Sequence, residues 1–378
     1  MPESAIVVGA GIFGTSIADA LAARGWSVQL IDRQGPGNDV QASAGLTRLF
    51  RFSHGDDEWF TRLAWSSQDH WARLEEDMDV RLLERTGLLW LLTGEAEWER
   101  ASLRRLESVG IPAQLITVDD VGALLPSASG DDLVGGLYEP QSGVLRASKA
   151  VRTLSQRAQR HGCELFVATA EPHDDGLMVD GVFRNADLVV WACGAWLSNL
   201  FPDLLSLRVT KQDTLYLDAP PSWSAEGVPA WIDFGASAYG TPDIAGFGAK
   251  VGSDLEDELF EPDRDERSLT PHKTELVRTH LRRRFPDLAD AAVKLWRVCQ
   301  YASTPDEHWI IAPRPDHPHH WIVGGGSGHG FKHGPAFGSY ATDTLTGEIP
   351  VDERFALGER TGGAALRTQR DSSVPTGD

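Results

Sequence analysis

A glycine-rich segment close to the N-terminus has residue types and spacing that suit the binding of phosphate groups. It reads Gly9-Ala10-Gly11-Ile12-Phe13-Gly14. The segment lies between an apolar strand-like stretch and a stretch with helical spacing. Its glycines can therefore serve a tight turn, a close approach of a pyrophosphate to the backbone, and close packing of helix on strand. Because free N–H groups at the start of the helix favour negative charge, the pattern predicts a dinucleotide-binding site.

A carboxylate follows the glycines at the distance where such sites contact a ribose. Asp32 comes directly after a second strand-like stretch, Ser27–Ile31, about twenty residues beyond the glycine pattern. Its oxygens can accept hydrogen bonds from ribose hydroxyls. The motif does not distinguish NAD from FAD, so the choice of cofactor depends on the rest of the chain.

The elements that would position this site recur in the middle of the chain and near its C-terminal end. Asp187–Cys193 is a nearly continuous apolar run that ends at Gly194, as expected of a buried parallel strand. Trp321–Val323 precedes a second glycine-rich stretch, Gly324–Gly330. Helices are predicted, in chain order, over Thr15–Arg24, Trp59–Glu76, Ala147–Gly162, Thr274–Phe285 and Ala336–Leu345.

These patterns predict an α/β protein with one discontinuous Rossmann-like domain, interrupted twice by an α+β substrate domain on a mixed or antiparallel sheet. Val209–Leu217, whose residues alternate, is expected to be an antiparallel strand. The predicted cofactor domain comprises residues 1–80, 145–208 and 302–357. The predicted substrate domain comprises residues 81–144 and 209–301, and residues 358–378 are expected to form a flexible tail.

Composition excludes several classes of function. The formal net charge is −20, so nucleic acid is a poor partner, although a few basic residues can still form a local pocket for an anionic substrate. The three cysteines are too few and too widely spaced for a disulfide framework or a zinc site, and no metal is predicted. No apolar run spans a bilayer, and the first strand begins too early for a secretory signal. We expect a cytoplasmic protein.

Several further segments carry a family resemblance. They are Thr47-Arg48 with Arg51, Thr86–Leu89, Ser142–Leu145, Gly194–Trp196, Cys299-Gln300-Tyr301, Pro305–Ile311 and Gly328-His329-Gly330-Phe331-Lys332. In this order they closely resemble the monomeric sarcosine oxidase family, which includes N-methyltryptophan oxidase and is a branch of the D-amino-acid-oxidase-like flavoproteins. The resemblance covers roughly residues 4–357.

The resemblance implies that the cofactor is FAD and that Cys299 joins its sulfur to the flavin 8α-methyl carbon. The alternative for Cys299 is a small buried hydrophobe, as most free cysteines are. Together with the glycine motif, the resemblance assigns to FAD the residues Gly9, Ala10, Gly11, Ile12, Phe13, Gly14, Asp32, Arg33, Ser43, Thr47, Arg48, Ala192, Gly194, Trp196, Cys299, Gly328, His329, Gly330, Phe331 and Lys332.

The resemblance also implies a catalytic set. Arg51 and Lys332 would bind a substrate carboxylate, and Lys250 would lie on the far face of the flavin, where a fixed positive charge helps dioxygen accept electrons. Tyr239 falls where the family has an active-site tyrosine. Asp254 replaces a histidine of sarcosine oxidase, so it either holds a cationic or cyclic amine or begins an acidic loop. We interpret His329 and His308 (also in a matching segment) as cofactor contacts or structural residues.

The predicted function is a FAD-dependent amine or amino-acid oxidase. A hydride would pass from the carbon next to a secondary or cyclic amine to flavin N5, an imine would leave, and dioxygen would reoxidise the flavin to give hydrogen peroxide. The alternatives are a flavin dehydrogenase with another electron acceptor, a NAD-dependent dehydrogenase, and a non-catalytic flavin protein. The expected partners are a small amine or amino acid with a carboxylate and dioxygen, and the resemblance favours a monomer.

Overall fold

The computed structural model describes residues 2–224, 226–256 and 258–361. Its strands are β1 (Ser4–Val8), β2 (Ser27–Asp32), β3 (Thr47–Phe50), β4 (Leu83–Glu84), β5 (Leu88–Thr93), β6 (Gln114–Ile116), β7 (Leu133–Glu139), β8 (Gly143–Arg146), β9 (Glu164–Val167), β10 (Ala170–His173), β11 (Gly176–Val179), β12 (Val182–Arg184), β13 (Leu188–Trp191), β14 (Arg208–Leu217), β15 (Ala230–Asp233), β16 (Ala238–Thr241), β17 (Ala249–Ser253), β18 (Val293–Ser303), β19 (Ile310–Arg314) and β20 (His317–Gly324). From residue 362 onward, the predicted flexible tail lies outside the described residues.

The helices of the same residues are α1 (Ile12–Ala23), α2 (Glu58–Met78), α3 (Glu97–Ser108), α4 (Val118–Leu124), α5 (Ala147–Arg160), α6 (Leu197–Leu200), α7 (Pro271–Arg284), α8 (Pro286–Ala289) and α9 (Gly334–Leu345). Four short 3-10 turns accompany them, at Gly194–Trp196, Pro221–Trp223, Phe331–His333 and Glu353–Phe355. Among the described helices, none has both the length and the apolar character needed to cross a membrane.

A six-stranded sheet carries the glycine motif. Its strand order is β19-β20-β13-β1-β2-β9, and every neighbouring pair is parallel except β19 with β20. Val7 and Val190 pair in register at its centre, and both are fully buried, because central strands of such a sheet are covered on both faces. Helix α1 contacts α5 and α9 on one face. The carboxyl ends of β1 and β13 therefore open towards the N-terminus of α1.

An eight-stranded sheet lies beside the first. Its order is β18-β14-β17-β16-β15-β5-β7-β6, antiparallel throughout except for the parallel pair β15 and β5. A separate three-stranded sheet, β3-β8-β4, carries Arg48 on β3, and Arg51 directly follows this strand. The predicted α/β fold with a second, mixed sheet is confirmed, and the predicted antiparallel strand at Val209–Leu217 is part of β14. The residue bounds of the two domains stay a prediction.

One predicted element begins earlier than expected. The first helix starts at Ile12 rather than Thr15, so the last glycine of the motif lies inside its first turn. A Cβ atom on Gly14 would lie 1.8 Å from the carbonyl oxygen of Gly9, and one on Gly9 would lie 2.5 Å from that of Ala192. Helix α1 can therefore begin this close to strand β1 only with glycine at both positions.

Candidate active site

A cavity of about 350 Å³ opens at the carboxyl ends of β1, β2 and β13. Residues from all three sequence segments of the predicted FAD site line it. They are Gly9, Gly11, Ile12, Phe13, Asp32, Arg33, Ser43, Arg48, Ala192, Gly194, Trp196, Gly328, Gly330 and Phe331. We call this space the dinucleotide cavity.

The polar contacts around the helix N-terminus suit a dinucleotide. The backbone N–H of Ala10 donates to Asp32 Oδ2 at 2.8 Å, and that of Ile12 donates to Ser43 Oγ at 2.9 Å. Since Ser43 Oγ accepts this bond, its own proton is left to donate into the cavity. Asp32 lines the cavity and also accepts from Gln34, Asn38 and Gln41, so a ribose hydroxyl would take the place of its longest contact, at 3.5 Å from Asn38. The helix dipole favours phosphate beside it. The residues present therefore fit FAD.

The far edge of the dinucleotide cavity is closed by a side-chain cluster that includes a residue outside the predictions. The guanidinium of Arg33 lies 4.9 Å from the ring centroid of Trp196. Asp263 accepts from both residues, at 2.9 Å from Arg33 and 2.8 Å from Trp196 Nε1. Asp263 belongs to the acidic segment after β17, so this segment reaches back to the cofactor sheet.

A second, smaller cavity of about 90 Å³ adjoins the first and shares Arg48, Tyr301, Gly328 and Phe331 with it. We call it the substrate cavity. All five residues of the predicted catalytic set line it, namely Arg51, Tyr239, Lys250, Asp254 and Lys332, and so do the predicted cofactor residues Cys299 and His329. The structure thus brings together side chains that are up to 281 residues apart in the sequence (Arg51 to Lys332).

Cys299 lies on β18 and lines the substrate cavity. Its Sγ is 3.1 Å from a guanidinium nitrogen of Arg48 and 3.2 Å from the carbonyl oxygen of Ala42. The guanidinium of Arg48 also donates to the carbonyl oxygen of Thr47 at 2.9 Å and to that of Ala44. The sulfur is therefore buried beside a cation that several backbone carbonyls fix in place.

Alternation along β17 directs Lys250 and Gly252 to one face, and Asp254 directly follows the strand. A Cβ atom on Gly252 would lie 2.9 Å from the ring of Tyr239, so the missing side chain leaves the space that this ring fills. Lys250 Nζ lies 5.1 Å from the centroid of the same ring and donates to the carbonyl oxygen of Thr47 at 3.2 Å. Burial, followed by the positive charge of Arg48, lowers the pKa of Lys250 from 10.5 to about 7.

Asp254, which stands where sarcosine oxidase has a histidine, is an acidic residue of the substrate cavity. Its Oδ1 accepts from the hydroxyl of Tyr301 at 3.0 Å. Burial, with the negative charge of Asp254 next, raises the pKa of both Tyr301 and Tyr239. Both phenols therefore stay protonated and can donate hydrogen bonds at neutral pH.

Arg51 and Lys332 are buried at the other side of the substrate cavity. Lys332 Nζ donates to the carbonyl oxygen of His329 at 2.8 Å, and Arg51 donates to that of Ser53. The guanidinium of Arg51 lies 5.5 Å from the ring centroid of Trp90. Burial, with Arg51 next, holds the pKa of Lys332 well below its ordinary value. Two cations share one buried region, which an anionic ligand would stabilise.

A buried carboxylate behind these cations was missed by sequence reasoning. Glu139 accepts from the backbone N–H of Phe52 at 2.7 Å, from Trp90 Nε1 at 2.8 Å, from Ser142 Oγ at 2.6 Å and from Ser53 Oγ. It thereby fixes the two residues that directly follow Arg51. No local motif marks this residue, because its partners lie up to 87 residues away.

Three histidines cluster next to Lys332. They are His54, His329 and His333, and burial lowers the pKa of each well below the ordinary value, with the positive charge of Lys332 as the next largest cause in all three. Only His329 was predicted to belong to the site. The spacing of four residues between His329 and His333 could have indicated that these two histidines lie close together. No pattern in the sequence indicates that His54 joins them.

Three predicted cofactor residues line neither cavity. Ala10 and Gly14 are buried in the turn beneath the dinucleotide cavity, where their backbone shapes the helix start. Thr47 is buried on β3, and its carbonyl oxygen accepts from both Lys250 and Arg48. These residues support the cavities through their backbone, and a direct contact of any of them with FAD stays a prediction.

Comparison with known proteins decides the family. The family model "FAD dependent oxidoreductase" (DAO) matches residues 4–344. The chain belongs to the DAO family. The predictions of the family resemblance, of FAD as cofactor and of an oxidoreductase are confirmed.

The DAO-family chain is similar to named relatives and solved structures over most of its length. It is 29% identical over 360 residues to monomeric sarcosine oxidase of Streptomyces avermitilis, covering 90% of this chain and 93% of the relative. It is 26% identical over 358 residues to N-methyl-L-tryptophan oxidase of Yersinia pestis, covering 90% and 94%. The solved structure of NikD, an amino acid oxidase of nikkomycin biosynthesis, matches with a TM-score of 0.79 at 22% identity, covering 97% and 99%. L-proline dehydrogenase from P. horikoshii matches with a TM-score of 0.80 at 22% identity, covering 93% and 95%.

Proposed function

We propose that this protein is a FAD-dependent amine or amino-acid oxidase whose substrate carries a carboxylate and a secondary or cyclic amine. One observation carries the proposal: Arg51, Lys332 and Lys250 are buried around a small cavity that adjoins the dinucleotide cavity. Two named relatives are oxidases of N-methylated amino acids, which supports this substrate class. Bound FAD would supply the two-electron acceptor and would pass the electrons on to dioxygen.

The substrate carboxylate would bind Arg51 and Lys332. Arginine can hold a carboxylate through two parallel hydrogen bonds, and lysine adds a point charge. Because both cations are buried, an anion is the ligand that offsets their desolvation most effectively. Binding would raise the pKa of Lys332 again and keep it charged.

The substrate amine would lie near Asp254 and the two tyrosines. The Asp254 carboxylate can accept from a protonated or cyclic amine, and the hydroxyls of Tyr239 and Tyr301, which stay protonated at neutral pH, can donate or accept hydrogen bonds. We assign no general base, since orientation of a neutral amine by these groups can suffice for loss of a hydride from the adjacent carbon. The imine product then leaves the cavity and hydrolyses in water.

We propose two further roles on the cofactor side. Cys299 would attach covalently to FAD, because its buried sulfur lines the substrate cavity, next to the dinucleotide cavity, and contacts the fixed guanidinium of Arg48. Lys250 would stabilise negative charge on dioxygen during reoxidation, because its ammonium group is fixed by a carbonyl and screened from water.

A flavin dehydrogenase is the second candidate. The fold is shared with an L-proline dehydrogenase at a TM-score of 0.80, so fold alone does not separate the two activities. Rapid reoxidation of the reduced protein by air would exclude the dehydrogenase, and slow reoxidation with fast reduction by substrate would favour it.

The first experiment is an absorption spectrum of the purified protein, repeated on pellet and supernatant after acid precipitation. Yellow colour in the pellet, lost from the pellet in Cys299→Ser, supports covalent attachment. Yellow colour in the supernatant of the wild type removes the Cys299 role and keeps the flavoenzyme. An anaerobic screen of N-methyl and cyclic amino acids then follows bleaching of the flavin. Failure of all carboxylate-bearing amines to bleach it would contradict the proposed substrate class.

A further inference from the structure

The histidine cluster next to the substrate cavity has the arrangement of a metal site. The rings of His54, His329 and His333 have centroids 5.3 to 6.3 Å apart, and one nitrogen from each lies within 4.8 Å of the others. All three side chains are at most 4% exposed. None of the three is used by the proposed oxidase mechanism.

Hydrogen bonds to backbone carbonyls fix the tautomers of two of these rings. His54 Nδ1 lies 2.8 Å from the carbonyl oxygen of Phe52, and His329 Nε2 lies 2.9 Å from that of Glu307. A carbonyl oxygen only accepts, so each of these nitrogens carries the proton. His54 Nε2 and His329 Nδ1 are therefore left with a lone pair, which is the state that binds a metal ion.

Within the described part of the chain, these lone pairs have no hydrogen-bond donor. The atoms His54 Nε2 and His329 Nδ1 are buried without a partner, and so are both ring nitrogens of His333. Buried acceptors normally find a partner, so this convergence of three rings calls for an occupant. We propose that His54, His329 and His333 bind a zinc ion, whose fourth ligand is a water or hydroxide.

The spacing can be compared with that of a zinc site. Zinc binds imidazole nitrogen at 2.0–2.1 Å, so tetrahedral ligands have nitrogens about 3.3 Å apart and ring centroids about 5 Å apart. The observed centroids need to approach by up to about 1.3 Å, and the nitrogens by up to about 1.5 Å. Rotation of the rings, above all of His333, which has no bond to hold it, accomplishes most of this movement.

The positive side chains next to the histidine cluster disfavour binding of a metal cation, and the nitrogen ligands restrict which ion can bind. Lys332 and Arg51 face the cluster, and Glu139 is the carboxylate that faces Lys332. A hydroxide as fourth ligand lowers the net charge of the zinc centre to one, which reduces the repulsion. Magnesium and calcium are excluded as occupants, because they prefer oxygen ligands. A buried water that donates to two of the rings is the competing occupant.

The test measures zinc in the flavin-containing protein, expressed with added zinc, freed of any affinity tag and dialysed against metal-free buffer. The proposal expects about one zinc per chain in the wild type, and at least tenfold less in His333→Phe and in His54→Gln. His320→Gln is the matched control, because His320 is also buried with an unpartnered Nδ1 but lies outside the cluster. Its zinc content should equal that of the wild type.

Folding of each variant is checked by its flavin absorbance and thermal unfolding, and either cluster variant alone suffices if the other fails to fold. Cobalt(II) added to zinc-free protein should give the intense ligand-field bands of a four-coordinate site, and these should vanish in the cluster variants. Wild-type protein with less than a tenth of an equivalent of zinc would overturn the proposal in favour of water. Equal zinc in wild type and both variants would overturn it in favour of adventitious binding elsewhere.

Discussion

Lys250 is a buried cation of the substrate cavity whose charge changes with pH close to neutrality. Its Nζ has a tyrosine ring on one side and a backbone carbonyl on the other, and its pKa is lowered to about 7. Such a group is charged for only part of the physiological pH range. Because the proposed role of Lys250 depends on its positive charge, the rate of the reaction with dioxygen should depend on whether Lys250 is protonated.

Replacement of Lys250 by methionine should slow flavin reoxidation far more than flavin reduction. Loss of one preorganised charge at a site of developing negative charge typically costs about 10²- to 10³-fold in rate. Stopped-flow measurement of the two half-reactions tests this, with Lys294→Met as the control, because Lys294 is exposed and lines neither cavity. An equal effect of Lys250→Met on both half-reactions would remove Lys250 from the oxygen reaction.

The same lysine predicts a pH dependence. Below its pKa Lys250 is protonated and can assist, so the rate of reoxidation should fall as pH rises through about 7. Negative charge on the reduced cofactor raises this pKa, so the fall lies at or above that value. In Lys250→Met the fall should disappear. A wild-type reoxidation rate that is flat from pH 6 to pH 10 would contradict the assignment, whatever the pH dependence of reduction.

At the scale of elements, close packing of α1 against α9 brings the last glycine-rich segment next to the dinucleotide cavity. A Cβ atom on Gly338 in α9 would lie 2.4 Å from the carbonyl oxygen of Ser16 in α1. The two backbones are in contact at this point, so neither helix can move without the other. This contact therefore helps to hold the N-terminus of α1 close to the segment Gly328–Phe331, which precedes α9.

Gly338→Ala should accordingly lower the free energy of unfolding by about 1–3 kcal/mol, the usual effect of overpacking. Gly122→Ala is the matched control: Gly122 also lies in a helix, α4, but its Cβ would meet no atom within 4 Å. There alanine should stabilise by about 0.5–1 kcal/mol, because it lowers the entropy lost on folding. Chemical denaturation of both variants gives the comparison, and a Gly338→Ala variant as stable as the wild type would show that α9 can shift.

The sequence predicted elements whose signals are local. The glycine motif, the strand that ends at Asp32 and the long amphipathic helix α2 each carry their own pattern, and each lies within a few residues of its expected place. The dinucleotide site also followed from a local motif, whereas the residues of the substrate cavity, such as Lys250 and Asp254, came from the family resemblance alone, and their roles stay predictions. Glu139 and His54 were not predicted, because their roles depend on contacts between segments that are far apart in the sequence, and no local pattern marks such contacts.

At the scale of the whole molecule, the net charge of the protein affects how fast a charged substrate reaches the cavity. The protein carries a formal net charge of −20, yet the proposed substrate is bound through its carboxylate by the buried cations Arg51 and Lys332. An anionic substrate is therefore repelled at long range and attracted only once it enters the cavity. Long-range repulsion is screened by salt over a Debye length of about 10 Å at 0.1 M, whereas the buried attraction is screened much less.

Raising the ionic strength should therefore increase kcat/KM for an amino acid that is anionic at the assay pH. Between about 0.01 and 0.3 M salt we expect a rise of a few-fold, carried by faster association. The methyl ester of the same amino acid is the control, since it lacks the carboxylate charge and should show the opposite or no dependence. A kcat/KM that falls with salt for the anionic substrate, and not for the ester, would mean that positive potential extends to the entrance of the cavity and overrides the acidic surface.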